Sequence, residues 1–97
     1  MVRESEAAGN ARRALGAELA AYREAAGYSQ ARLAELIAYS RSKVANVETG
    51  RQRMPRQFWE NADNTLRPGG VLTAAQGELE AEVSRERQAA ARDLSAQ

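Results

Sequence analysis

Between Gln30 and Gly50 the apolar residues fall at Leu33, Ala34, Ile37, Tyr39, Val44 and Val47. That spacing predicts two short helices joined by a tight turn, the second with one face left bare. Ser29 suits the N-cap of the first and Ser40 that of the second, because a hydroxyl there accepts a backbone N–H the helix cannot satisfy. Taking about 100° per residue and Val44 as the core direction, Val47 and Ser40 stay within about 60° of it. On the same wheel Ser42, Asn46 and Thr49 lie about 140–200° away, with Arg41 and Lys43 beside them.

The remaining segments read as helices too. Leu15, Leu19, Tyr22 and Ala26 form one stripe and predict a helix over 11–26, closed by Gly27 at C′. The second and third helices occupy 29–37, with Leu33, Leu36 and Ile37 inward, and 40–49, with Gly50 as the left-handed stop. Pro55 suits the first turn of a fourth helix, which carries Phe58, Ala62 and Leu66 on one stripe and Trp59 beside it. Pro68, Gly69 and Gly70 end it. A fifth helix begins near 71–73 and can return Leu72, Ala75, Leu79 and Val83 to the core. Beyond Val83 only alanines and Leu94 are apolar, so the tail has helix propensity but little to bury. Val44 and Val47, the one β-branched cluster, are spaced for a helix. The expectation is an all-α fold of five helices. Residues 1–10, without periodicity, are expected to be a mobile N-terminal arm, 11–80 the folded domain and 81–97 a C-terminal helical tail.

The chain of 97 residues suffices for one small domain. It contains no Cys and no His, which removes thiolate and imidazole chemistry. With no Gly-rich phosphate loop and no acid–base constellation, no enzymatic activity, cofactor or metal is expected. Neither a secretory signal nor a stretch long enough to span a membrane is visible, so a cytoplasmic protein is expected. Net charge is only +1, but it is unevenly placed. Over 41–56, Arg41, Lys43, Arg51, Arg53 and Arg56 oppose Glu48 alone, a net +4. Over 71–97, five acids oppose three arginines, a net −2. A basic patch of that kind attracts polyanions more strongly than the total suggests, although a solvated loop would also carry such arginines. Hydrogen-bonding side chains between cations on a short helix suit the DNA major groove.

Gln30, Ala34, Ala38, Val44 and Val47 stand at the spacing of a known pattern: a Gln, a small residue four on, a turn residue eight on, and apolar residues fourteen and seventeen on. Glu48-Thr49-Gly50 is similar to that pattern's Glu-x-Gly ending. On these residues the segment resembles the phage-repressor helix-turn-helix of Cro/C1-type, or XRE-like, regulators. The stretch LGAELAAYREAAGYSQARLAELIAYSRSKVANVETGRQRMP and the FW…AD…L…GG run at 58–70 look similar to actinobacterial members, so the resemblance spans roughly 12–80. It implies a five-helix phage-repressor-like domain with a C-terminal helical extension. Two positions depart from it. Ala38 stands where the family most often has Gly, and a left-handed Ala costs roughly 1–2 kcal/mol. Ala45 and Asn46 replace residues that are commonly Ser and Arg, so a target sequence is not transferable.

The resemblance also implies roles. Arg41, Ser42, Ala45 and Asn46 occupy the base-reading positions. Arg41 can grip guanine O6 and N7, or else clamp a phosphate; Asn46 can pair with adenine N6 and N7, or else stay solvated. Gln30 is expected to meet a phosphate at the start of its helix, where the dipole and unpaired N–H groups favour an anion. Ser40, Lys43, Arg51, Arg53 and Arg56 are further phosphate-binding candidates, of which one or two could stay away from DNA. Arg23 and Glu48, each at the edge of its helix's apolar stripe, are expected to pair across the core; the alternative is two separate solvated ends.

The expected function is a sequence-specific regulator of transcription that inserts helix 40–49 into double-stranded DNA, a repressor ahead of an activator. A domain this small reads few base pairs, so a homodimer on a two-fold site is expected. The alternative is a protein-interaction module, an antitoxin or anti-regulator, holding a protein partner through the C-terminal helix.

Overall fold

The structure, a computed structural model, describes residues 6–66 and 69–95. It is all-α: α1 (Glu6–Ala25), α2 (Gln30–Ile37), α3 (Arg41–Glu48), α4 (Arg56–Leu66) and α5 (Val71–Ser95). No strand occurs among the described residues. α3 packs on α2 and α1, α4 on α2 and α5, and α1 lies along α5. Leu15, Leu19, Leu33, Ile37, Val44, Val47, Phe58, Trp59 and Leu72 form the shared core. Phe58, fully buried, meets Tyr39 and Trp59 edge-on, each with ring centroids 5.1 Å apart. Those aromatic rings hold α4 against the turn after α2 rather than offering a stacking surface.

Three helices end in the same way. Tyr28 N–H reaches back to Arg23 C=O, Tyr39 N–H to Ala34 C=O and Arg51 N–H to Asn46 C=O. The residues before them, Gly27, Ala38 and Gly50, are left-handed at φ 79°, 63° and 76°. This six-to-one closure satisfies the last carbonyls while turning the chain sharply. Ala38 is the sole described non-glycine residue with positive φ, so the α2–α3 turn is made at the expense of a Cβ clash. Ala38→Gly should therefore raise stability by about 1 kcal/mol, the relieved strain exceeding the added chain entropy. Denaturant titration checks this, and a midpoint that falls would refute it.

Ser29 Oγ accepts Arg32 N–H at 3.0 Å and Ser40 Oγ accepts Lys43 N–H at 3.2 Å, so both hydroxyls cap their helices. Pro55 stands just ahead of α4, and its carbonyl accepts Phe58 N–H. The start of α5 is capped from another helix. Buried Asp63 of α4 accepts Leu72 N–H at 3.2 Å and Thr73 N–H at 2.9 Å, and the Thr73 hydroxyl also donates to it. A carboxylate aimed at unpaired first-turn amides favours the helix dipole and fixes the α4–α5 corner.

Several expectations need correction. α1 begins at Glu6, so 6–10 of the expected mobile arm is helix; Ala8 is buried where α1 lies on α5, a single apolar residue too few to show periodicity. Residues 1–5 of that arm and the stop signal at Pro68 lie outside the described residues. Ala26 falls past the end of α1 and is exposed. Leu36 is 40% exposed, because Ala34 occupies the core beside Leu33 and Ile37 and leaves Leu36 about 100° off their mean direction. The expected boundary between 80 and 81 falls inside α5, which continues as one helix past Val83. That projection makes the molecule 53 Å long but only 24 × 19 Å across.

Candidate nucleic-acid interface

α3 presents two opposite sides. Val44 and Val47 are fully buried against α1 and α2. Arg41, Ser42, Lys43 and Thr49 are exposed, and Ala45 and Asn46 are half-buried. The Thr49 hydroxyl turns back to the Ala45 and Asn46 carbonyls, 3.2 Å each, which leaves Ser42 and Asn46 as the outward polar side chains of that stripe. The four base-reading candidates Arg41, Ser42, Ala45 and Asn46 thus share the accessible side of one helix.

The angle of that helix is set from behind. Arg23 Nε donates to Glu48 Oε2 at 2.7 Å and Arg23 Nη2 to Glu48 Oε1 at 3.1 Å. The remaining guanidinium nitrogen donates to Tyr28 C=O at 2.8 Å. The side chains are 12% and 6% exposed, so the pair works in a largely dry setting. Its hydrogen bond and charge raise the Arg23 pKa above the usual arginine range, against a smaller opposing effect of burial. Gln30 joins the network: its Nε2 donates to Glu48 Oε1 at 2.9 Å. The start of α2 is thereby tied to the end of α3, with one amide hydrogen of Gln30 still uncommitted.

α1 approaches α3 closely at Gly16. A Cβ there would stand 2.2 Å from Val47 C=O and 2.7 Å from Glu48 C=O. Arg12 Nε donates to Gly50 C=O at 2.8 Å, and the stem of Arg13 lies where a Gly50 Cβ would go. Sequence reasoning missed both Arg12 and Gly16. A lone glycine inside an amphipathic helix was the available signal for Gly16, since it costs helix propensity unless packing demands it. Nothing local marks Arg12.

The cations divide into two groups. Among the described residues no acid lies within ion-pair distance of Arg41, Lys43 or Arg51. Arg53, in contrast, is gripped by both oxygens of Glu80 on α5. Arg56 makes a loose 3.6 Å contact with Glu60 one turn on, and stays largely exposed. Ser40 is exposed and its hydroxyl is committed to the cap. No metal-holding cluster of acids exists among the described residues.

The sequence pattern of the helix-turn-helix domain matches residues 14–76, which span α2, the Ala38 turn and α3 together with most of their supports. The chain belongs to the helix-turn-helix domain family. Domains of this family are DNA-binding modules of transcription regulators. No curated protein matches the sequence. Among solved structures, the fold is similar to that of the clp gene regulator ClgR from Corynebacterium glutamicum. The TM-score is 0.61 at 24% sequence identity, over 88% of this chain and 93% of that one. At this identity the likeness is one of fold.

Proposed function

We propose that this helix-turn-helix protein is a sequence-specific double-stranded DNA-binding regulator of the Cro/C1, XRE-like kind, and that α3 is its major-groove helix. The observation that carries the reading is the side of α3 holding Arg41, Ser42, Ala45 and Asn46. It is accessible and polar on a helix whose opposite side is locked into the core. Arg41 at the first turn reaches a guanine edge, Asn46 an adenine edge, and Ala45 a thymine methyl. Ser40, Lys43, Arg51 and Arg56 contact phosphates, as does the uncommitted amide hydrogen of Gln30. The likeness to ClgR, a gene regulator, supports the same reading. Two copies bind a two-fold site with half-sites roughly 34–36 Å apart, repress by occluding polymerase, and act in the cytoplasm. No helix among the described residues is long and apolar enough to cross a membrane.

Selection of bound fragments from random duplexes yields the site, and anisotropy titrations on it test the roles. Asn46→Ala should weaken the selected site by about 1–3 kcal/mol and leave scrambled duplex almost unchanged. Lys43→Ala should weaken both alike and lower the log–log salt slope by about 0.9. A wild-type protein that ignores every duplex at low salt overturns the reading.

One observation favours a second role. Past Val83, α5 continues with Ser84, Arg85, Arg87, Gln88 and Ala89 exposed. A helix with those side chains exposed suits a protein partner. Removing 84–97 would then abolish capture of that partner while DNA binding persists.

A further inference from the structure

We propose that Glu80 sets the strength and salt dependence of the DNA surface by holding Arg53 as an internal substitute for a phosphate. This rests on the DNA-binding reading and goes beyond it. Arg53 lies two residues past Arg51 in the basic loop after α3, where phosphate contact is expected from charge alone. Its Nε donates to Glu80 Oε1 at 3.2 Å and its Nη2 to Glu80 Oε2. That two-pronged grip on a carboxylate is the geometry a guanidinium also uses on a phosphate. The fork therefore serves one anion at a time.

Two considerations favour the internal anion. Glu80 is tethered across the α3–α4 loop and never diffuses away, and α5 carries it on a helix anchored by the buried Leu79 and Val83. Withdrawing Arg53 toward DNA would also leave a bare carboxylate facing the phosphate rail, a like-charge approach. The pair is therefore electrically neutral toward the duplex. Arg41, Lys43 and Arg51, which no described acid pairs, carry the steering charge. Both partners are partly exposed, 38% and 37%, so the pair is open to solvent and adds little to folding stability. Its consequence lies in binding rather than in the fold.

The test is a four-member set: wild type, Glu80→Gln, Arg53→Ala and the double variant. Each is titrated with one duplex over a range of salt, after melting curves establish that all four fold. Glu80→Gln should bind severalfold more tightly at low salt, with a log–log slope steeper by about 0.9, one phosphate's worth. Arg53→Ala alone bares Glu80 to the duplex and should weaken binding, whereas the double variant, neutral at both positions, should keep the wild-type slope. The double variant should lose what Glu80→Gln gained. Glu78→Gln, which removes another α5 charge, should not steepen the slope. The proposal is overturned if the double variant falls below the wild-type slope, or if it keeps the gain. It is also overturned if Glu78→Gln does as much as Glu80→Gln. Failure of the wild type to bind any duplex would instead overturn the DNA-binding reading, and this inference with it.

Discussion

Gly16→Ala should lower the melting temperature by roughly 10–20 °C, the equivalent of about 3 kcal/mol in a domain of this size. The added methyl would sit 2.2 Å from Val47 C=O and under 3 Å from the Glu48 carbonyl group. Those atoms are backbone at the last turn of α3, so no side-chain rotation relieves the overlap; α1 and α3 must move apart. Separation also pulls at the bond from Arg12 to Gly50 and at the Arg23–Glu48 pair, both of which span the same contact. Gly77→Ala supplies the opposite sign. Gly77 lies on α5 with nothing within 4 Å of a built Cβ, so there alanine should add about 0.5–1 kcal/mol through helix propensity. Calorimetry on the two variants distinguishes close packing from a general effect of glycine replacement. Gly16→Ala melting within a degree or two of the parent would show that the helices are not in contact there.

These two glycines mark where the sequence could and could not be read. The five helices, the two serine caps and the left-handed stops at Gly27 and Gly50 follow from local chemistry, because cap residues act on their own few neighbours. The outward side of α3 was legible for the same reason: Val44 and Val47 fix a core direction, and helical geometry fixes everything else about that turn. What was hidden depends on residues far apart in the chain. Gly16 and Gly77 look alike in sequence, and only the position of α3 tells them apart. Asp63 reads as a polar residue of α4 until α5 places two amides in front of it. Arg53 looked like its basic neighbours, yet its charge is answered by an acid 27 residues away. Charge counting over a window cannot see such a partner. Ala8 shows the converse, since one buried methyl packs α1 against α5 but leaves no pattern.

Glu48→Ala should destabilise the fold by about 3–5 kcal/mol, a large share of the roughly 5–15 kcal/mol that holds a small domain together. The carboxylate is 6% exposed and receives two bonds from Arg23 and one from Gln30. Its removal leaves a guanidinium in a largely dry site with Tyr28 C=O and a loose 3.6 Å contact to exposed Glu24 to answer it. Arg23→Ala should cost nearly as much by stranding the carboxylate instead. If the energy resides in the pair, the variant lacking both partners loses far less than the two single losses added together, because neither charge is then left uncompensated. The pH dependence is constrained as well. Arg23 has a raised pKa in the folded protein, through its bond to Glu48 first and the attraction of that charge next. Its contribution is therefore fully present below the ordinary arginine range and is lost only as pH climbs beyond it. The cost of Arg23→Ala should accordingly be constant, on this residue's account, between neutral and mildly alkaline pH. Urea titrations of the four proteins at two such pH values make the check, and single losses that simply add would show that the residues act separately. DNA binding should fail before the fold does. The network joins α1, the start of α2 and the end of α3, so a variant still folded at low temperature has lost the restraint on the angle at which Arg41 and Asn46 are presented. Supplying excess duplex to folded Glu48→Ala should then recover little of the discrimination between the selected site and a scrambled one.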